Sequence, residues 1–191
     1  TRTPSQPSDI AWDPDQSILE LPKDTPFDAV IHLAGESVAG GRWTAAKRKR
    51  TMESRRLGTR LITKAITALP EPPSVFISAS GSGFYPLGTG PHTETASSGD
   101  HYLSQVCQAW EAETAPAEEA GIRVIHARIG AVLAHQGGIL KELLPVFQAG
   151  LGGSIGSGEQ HLSWIGLSDV VDMLHRCTFE PDWSGPINLT A

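Results

Sequence analysis

The side chains of this sequence that could move a proton are few: two tyrosines, Tyr85 and Tyr102, a serine- and glycine-rich run SASGSGFY at 78–85, and seven histidines. A hydroxyl serves as general acid or base only when its pKa is drawn toward the working pH. No Lys or Arg occurs between Lys64 and Arg123. A tyrosine in that stretch has no cation along the chain beside it and keeps a pKa near 10, so about one in a thousand is ionised at pH 7. The histidines show neither HxxxH nor HxH spacing, and no metal site is expected. The two cysteines, Cys107 and Cys177, form no CxxC pair and read as reduced thiols of a cytoplasmic protein.

Two other features invite a ligand. The stretch from Lys47 to Lys64 carries Lys47, Arg48, Lys49, Arg50, Arg55, Arg56 and Arg60, a basic face that is ordinarily solvated. Aromatic side chains are not interleaved with it, as stacking on nucleic acid would need. The loop GLGGSIGSGEQ at 150–160 is rich in glycine, but its spacing is not GxxGxxG and no strand feeds it, so it is no phosphate cradle.

The elements that must hold these residues alternate. Asp28 to Leu33 (DAVIHL) is an apolar run of the kind that a parallel sheet covers on both faces. Thr44 caps a helix running to about Leu69, where Pro70 closes it. A strand over Ser74 to Ile77 opens into the Ser/Gly loop. Leu103, Val106, Cys107 and Trp110 recur at helical spacing, with Pro116 kinking or ending that helix and Gly121 closing it. Ile122 to Leu133 is a further strand and its exit. A short helix around Leu140–Phe147 follows, then one from about Ser168 to Phe179 and a strand-like IleAsnLeuThr run. Residues 3–27 read as a surface loop with a turn or two. Strands alternating with helices predict a parallel, doubly wound α/β sheet.

The 191 residues suffice for one domain with a core. A net charge of -6 argues against a nucleic-acid partner, and no apolar run approaches the ~20 residues that span a bilayer. The sequence begins at Thr1 rather than Met and stops at Ala191 just after a strand-like run, so a piece of a longer protein is expected.

Four segments in order, HLAGES (32–37), SASGSGFY (78–85), ARIGAVLA (127–134) and GLGGSIGSGEQHLSWIGLSDVV (150–171), resemble extended short-chain dehydrogenase/reductases. The likeness is to a poorly characterised, epimerase-like subfamily of the NAD(P)-dependent epimerase/dehydratase family, related to nucleoside-diphosphate-sugar epimerases. It implies an incomplete Rossmann-like domain over 1–191, with the first βαβ unit (~30 residues) and the C-terminal substrate part absent. The substrate-binding region would begin at about 150–191. It also implies NADP(H), with NAD(H) as the alternative, because Thr1-Arg2 resembles the pair that follows the second strand in NADP-binding members, where an Arg accommodates the 2′-phosphate.

Further residues follow from the same resemblance. Leu33, Ala34, Gly35, Arg50, Arg55, Ser78 and Val132 match cofactor contacts, while Ser82, Gln160, Ser163 and Trp164 lie where members meet substrate. Extended members catalyse with Ser, Tyr and Lys, the Lys lowering the Tyr pKa and holding the nicotinamide ribose. Ser80 matches the Ser and Tyr102 the Tyr, but the residue four after Tyr102 is Val106, and Tyr85 is a substitute acid. The expectation is an NADP(H)-binding epimerase-like oxidoreductase acting on a sugar nucleotide or other carbonyl compound. The alternative is a non-catalytic sensor or scaffold that keeps the fold. Either would be a monomer or weak homodimer.

Overall fold

A computed structural model describes residues 3–6, 8–22, 26–39, 41–88, 90–154 and 156–191. Its centre is a parallel sheet of four strands, β3 (Ala29–His32), β4 (Val75–Gly81), β5 (Arg123–Ile129) and β8 (Gly185–Leu189), in that order. The helix α1 (Ala45–Thr67) joins β3 to β4. Between β4 and β5 run α2 (Tyr102–Ala112) and α3 (Ala115–Glu119).

Alternate side chains of a strand point to opposite faces, and here they build two cores. Phe76 and Val124 meet Ile66 of α1 and Ala117 of α3 on one face. On the other, Val75, Ile77, Ile125, Ala127 and Leu189 meet Val170, Leu174 and Cys177 of α5 (Leu167–Phe179). Phe76, Ile77 and Ile125 are fully buried, and truncating such a side chain to Ala costs about 2–5 kcal/mol. Helices thus cover both faces, as the alternating pattern requires. Ile31 nevertheless stays 45% exposed, since β3 ends the strand order and is paired on one side only.

Four boundaries differ from the sequence reading. The strand at Ser74–Ile77 continues through Ser78-Ala79-Ser80-Gly81, because β5 extends the ladder to Gly81↔Ile129, past the last β3 pair at His32↔Ser78. Pro116 opens rather than ends a helix: α2 stops at Ala112, and Pro116 sits in the first turn of α3, where a missing N–H costs nothing. The run 122–133 breaks at Gly130, since a Cβ there would lie 3.0 Å from the Ser163 backbone. The chain then leaves the sheet, and β6 (Ala131–Leu133) pairs instead with β7 (Trp164–Gly166). Within 3–27, Trp12–Asp13 (β1) and Ile18–Leu19 (β2) pair antiparallel around a 3₁₀ turn at Pro14–Gln16. The helix α4 (Gly138–Gln148) lies between β6 and β7.

Candidate functional site

In an open parallel sheet, ligands settle outside the carboxyl ends of the strands. Here those ends carry Leu33-Ala34-Gly35 after β3, Ser80-Gly81-Ser82 on β4, Gly130 after β5, and Asn188 on β8. Register places Ser80, Arg128 and Asn188 side by side across three strands, on the face toward α2. Three polar side chains in a sheet interior need partners, and they find them in one continuous network.

Glu111 of α2 is its hub. Arg128 Nε donates to Glu111 Oε1 and Nη2 to Oε2, each at 2.9 Å, a bidentate charge-assisted pair. Ser80 Oγ donates to the same Oε1 at 2.6 Å. Arg128 Nη1 donates to the Tyr85 hydroxyl at 3.0 Å and to the Glu94 carbonyl, and Tyr85 in turn donates to Asn188 Oδ1 at 2.6 Å. The Asn188 N–H donates to Glu94 Oε1 at 2.9 Å. The Arg128 guanidinium lies 3.4 Å from the centre of the Phe84 ring. His126 stands 4.0 Å from Glu111; burial lowers its pKa although Glu111 opposes this, and its Nε2 is 2.8 Å from the Thr114 hydroxyl. The sequence shows one sign of all this: Arg128 is the sole charge inside the apolar stretch from Val124 to Leu133, and a charge there demands a buried partner. Nothing in the sequence pairs it with Glu111, Asn188 and Glu94.

Ser80 and Tyr85 therefore share a cluster, both of them buried. Tyr102 does not join it. Its hydroxyl donates to the Arg48 carbonyl on α1, its ring meets Trp43 edge-on, and burial raises its pKa despite Arg55 and Arg48 nearby. Val106 is 3% exposed, inside the core. The α2 residues that reach the end of β4 are Glu111, which accepts from Ser80, and Cys107, whose Sγ lies 3.6 Å from the Gly81 carbonyl. Burial pushes that thiol's pKa up, with the adjacent Ser80 hydroxyl and Gly81 backbone opposing it.

On the cofactor side the structure gathers several candidates around the 33–37 loop. Arg55 donates from Nη1 to the Glu36 and Thr51 carbonyls at 3.0 and 3.1 Å and stacks on Trp110. A Cβ on Gly35 would come within 3.1 Å of its guanidinium, so glycine leaves the backbone bare beside a cation. Arg50 pairs with Glu36 at 3.4 Å and stays exposed. Leu33 is 53% exposed. Ser78 is fully buried, donating to the Ala79 carbonyl, so it lies in the interior of the sheet and not at the crevice. Val132 pairs with Ile165 across β6–β7. Thr1 and Arg2 lie outside the described residues. On the substrate side, Ser82 opens the 3₁₀ turn after β4. Ser163 and Trp164 are exposed, their carbonyls accepting from Ala131 and Ala191, and Gln160 is exposed on the loop before them. Among the described residues no three His, Cys, Asp or Glu side chains are grouped to hold a metal ion, and no helix is long and apolar enough to cross a membrane.

The profile of the NAD dependent epimerase/dehydratase family matches residues 6–187. The chain belongs to that family. The resemblance drawn from the four sequence segments and the Rossmann-like α/β fold are thereby borne out. Epimerase family protein MT2273 of Mycobacterium tuberculosis is 36% identical over 190 residues, covering 99% of this chain and 62% of its own. Epimerase family protein SDR39U1 of Homo sapiens is 34% identical over 172 residues, 88% of this chain and 57% of its own. The chain thus spans 57–62% of the length of these curated relatives. The crystal structure of human SDR39U1 (isoform 2) with NADPH superposes at a TM-score of 0.90 and 32% identity, over 100% of this chain and 64% of that one. The nucleoside-diphosphate sugar epimerase of Corynebacterium glutamicum gives 0.82 and 34%, over 100% and 40%.

Proposed function

We propose that the whole protein binds a nicotinamide dinucleotide, NADP(H) in preference to NAD(H), and uses it in epimerase-like redox chemistry on a sugar nucleotide or other small carbonyl compound. The observation that carries this reading is the superposition of all of this chain on 64% of a relative solved with NADPH. The residues present fit the group. Bare backbone at Gly35 beside the Arg55 guanidinium, with Arg50 close by on Glu36, makes a cationic edge to the crevice, and two guanidinium groups suit an anionic dinucleotide. When bound, that cofactor supplies hydride transfer.

The chain's own residues position and exclude. Leu33, Ala34 and Gly35 line the end of β3, and Arg55 holds that loop through the Glu36 carbonyl. Ser82, Gln160, Ser163 and Trp164 offer polar and aromatic contacts for a substrate on the β6–β7 side, in a region beginning near residue 150. The compartment that suits two buried free thiols is the reducing cytoplasm.

Titration of the full-length protein with NADPH and NADH, followed by Trp fluorescence, tests the cofactor. Tighter NADPH is expected, with the gap narrowed in Arg2→Ala by about 1.5–3 kcal/mol, the worth of a charged contact. Equal affinity or a preference for NADH overturns it.

One observation favours the second reading, a non-catalytic sensor or scaffold. Each hydroxyl offered as an acid already gives its proton to a neighbour: Ser80 to Glu111, Tyr85 to Asn188 and Tyr102 to Arg48. Cofactor binding without turnover of any sugar nucleotide or simple ketone would favour it.

A further inference from the structure

We propose that Glu111 is a positioning residue that fixes Ser80 as a hydrogen-bond acceptor, so that the crevice takes its ligand through a hydroxyl or amide donor in preference to a carbonyl oxygen. The ligand half of this rests on the reading that a small-molecule substrate lies beside β4; the Glu111 half does not.

The argument is one of counting protons. A serine hydroxyl has one proton and two lone pairs. Ser80 points its proton at Glu111 Oε1, 2.6 Å away, a length typical of a hydroxyl bonded to a charged carboxylate. Glu111 has none to give back, because Arg128 places an N–H on each of its oxygens. Arg128 is itself held by the Tyr85 hydroxyl and the Glu94 carbonyl, and its side chain is only 5% exposed. The remaining neighbours do not alter the count. His126 is 4.0 Å from Oε2, with its Nε2 engaged by Thr114, and the nearest thiol, Cys107, is directed at the Gly81 carbonyl. To donate to a carbonyl oxygen, Ser80 would have to turn its proton away from a buried carboxylate and leave that oxygen one partner short, which is unfavourable where water does not replace it. Of its two lone pairs, the Cys107 thiol beside it, a weak donor, can engage one. An alcohol or an amide N–H can use the other without breaking anything.

Two measurements on the full-length protein test the halves separately. The first is proton NMR in water at low temperature. A slowly exchanging hydroxyl proton with a cross-peak to Arg128 Nε–H is expected, absent in Ser80→Ala, retained in Ser80→Thr and shifted or lost in Glu111→Gln. Absence of that proton from the wild type, or its persistence in Ser80→Ala, overturns the role of Glu111 whatever the ligand. The second uses UDP-glucose, which presents a 4-hydroxyl, and UDP-4-keto-6-deoxyglucose, which presents a carbonyl, as probes with cofactor in the redox state that prevents turnover. UDP-glucose is expected to bind about tenfold more tightly, with the ratio collapsing in Ser80→Ala and reversing in Glu111→Gln, whose amide can donate to Ser80. Equal or tighter binding of the keto probe overturns the ligand preference. Failure of both probes to bind, with the proton present, overturns the substrate reading and not the Glu111–Ser80 relationship.

Discussion

Arg128 and Glu111 face each other as two parallel forks, with both N···O distances at 2.9 Å and side chains only 5% and 11% exposed. The pair ties the middle of the sheet to α2 and sets the orientation of Ser80 on one side and Tyr85 on the other. A buried ion pair adds little net stability, but removing one member strands a charge at a cost of about 3–5 kcal/mol.

Arg128→Met should therefore lower the unfolding free energy in urea by about that 3–5 kcal/mol. The double variant Arg128→Met/Glu111→Leu should recover much of the loss. A single variant within ~0.5 kcal/mol of wild type, as for a surface substitution, would show that the pair is open to solvent.

Tyr102 offers a sharper test of the chemistry. With its proton on the Arg48 carbonyl and its pKa raised by burial, it is set up as a brace between α1 and α2. Tyr102→Phe should leave any residual NADPH oxidation unchanged and cost about 1 kcal/mol of stability, one hydrogen bond. A loss of turnover by ~10²-fold or more, the scale of a missing general acid, would return it to the catalytic set.

Val106→Lys, which looks on sequence like a repair of the Tyr-x-x-x-Lys pair, should instead destabilise. Val106 is 3% exposed, and an ammonium there would be taken out of water. A loss of several kcal/mol is expected in thermal or urea unfolding. A stable Val106→Lys protein with raised NADPH oxidation would reverse this.

His32 makes stability depend on pH. Burial, with Arg55 adding to it, lowers its pKa from 6.5 to about 4. Its Nε2 has no hydrogen-bond partner among the described residues, and Trp12 packs edge-on beside it. The unfolded chain binds the proton more readily, so this group's contribution is complete above pH 6.5 and falls away as the pH drops toward 4. Over the whole window it amounts to about 3 kcal/mol, and roughly 2 kcal/mol of that is lost by pH 5. Urea unfolding at pH 7 and 5 should show the loss in the wild type and a smaller one in His32→Asn. An identical slope in both would mean that His32 is not the group responsible.

Assembly follows from charge already used within the chain. Arg60 Nη2 lies 2.6 Å and Arg56 Nε 3.1 Å from Glu113 Oε1, so α1 and α2 answer each other internally. Glu113 is thereby engaged within the chain and is not free to answer the basic helix of a second copy. Light scattering at micromolar concentration should report a monomer, and a dimer would count against it.

The sequence by itself determined the α/β class and the family. Strand and helix periods, the Thr44 cap, which does accept the Lys47 N–H, and four ordered segments are local properties, and local physics decides them. It also determined that Val106, and not a cation, stands four residues after Tyr102. What only tertiary structure decided is who meets whom across the sheet. The length of β4 depended on β5, which pairs with it as far as Gly81, and the break at Gly130 on Ser163, 33 positions away. That α2 turns Glu111 and Cys107 toward the end of β4, with Val106 in the core, was a matter of how the helix rotates about its axis when it packs on the sheet. That Ser80, Glu111, Arg128, Tyr85 and Asn188 form one proton ledger was invisible in order, because parallel register brings together strands separated by one or two crossovers, and a buried charge selects its partner by distance in space.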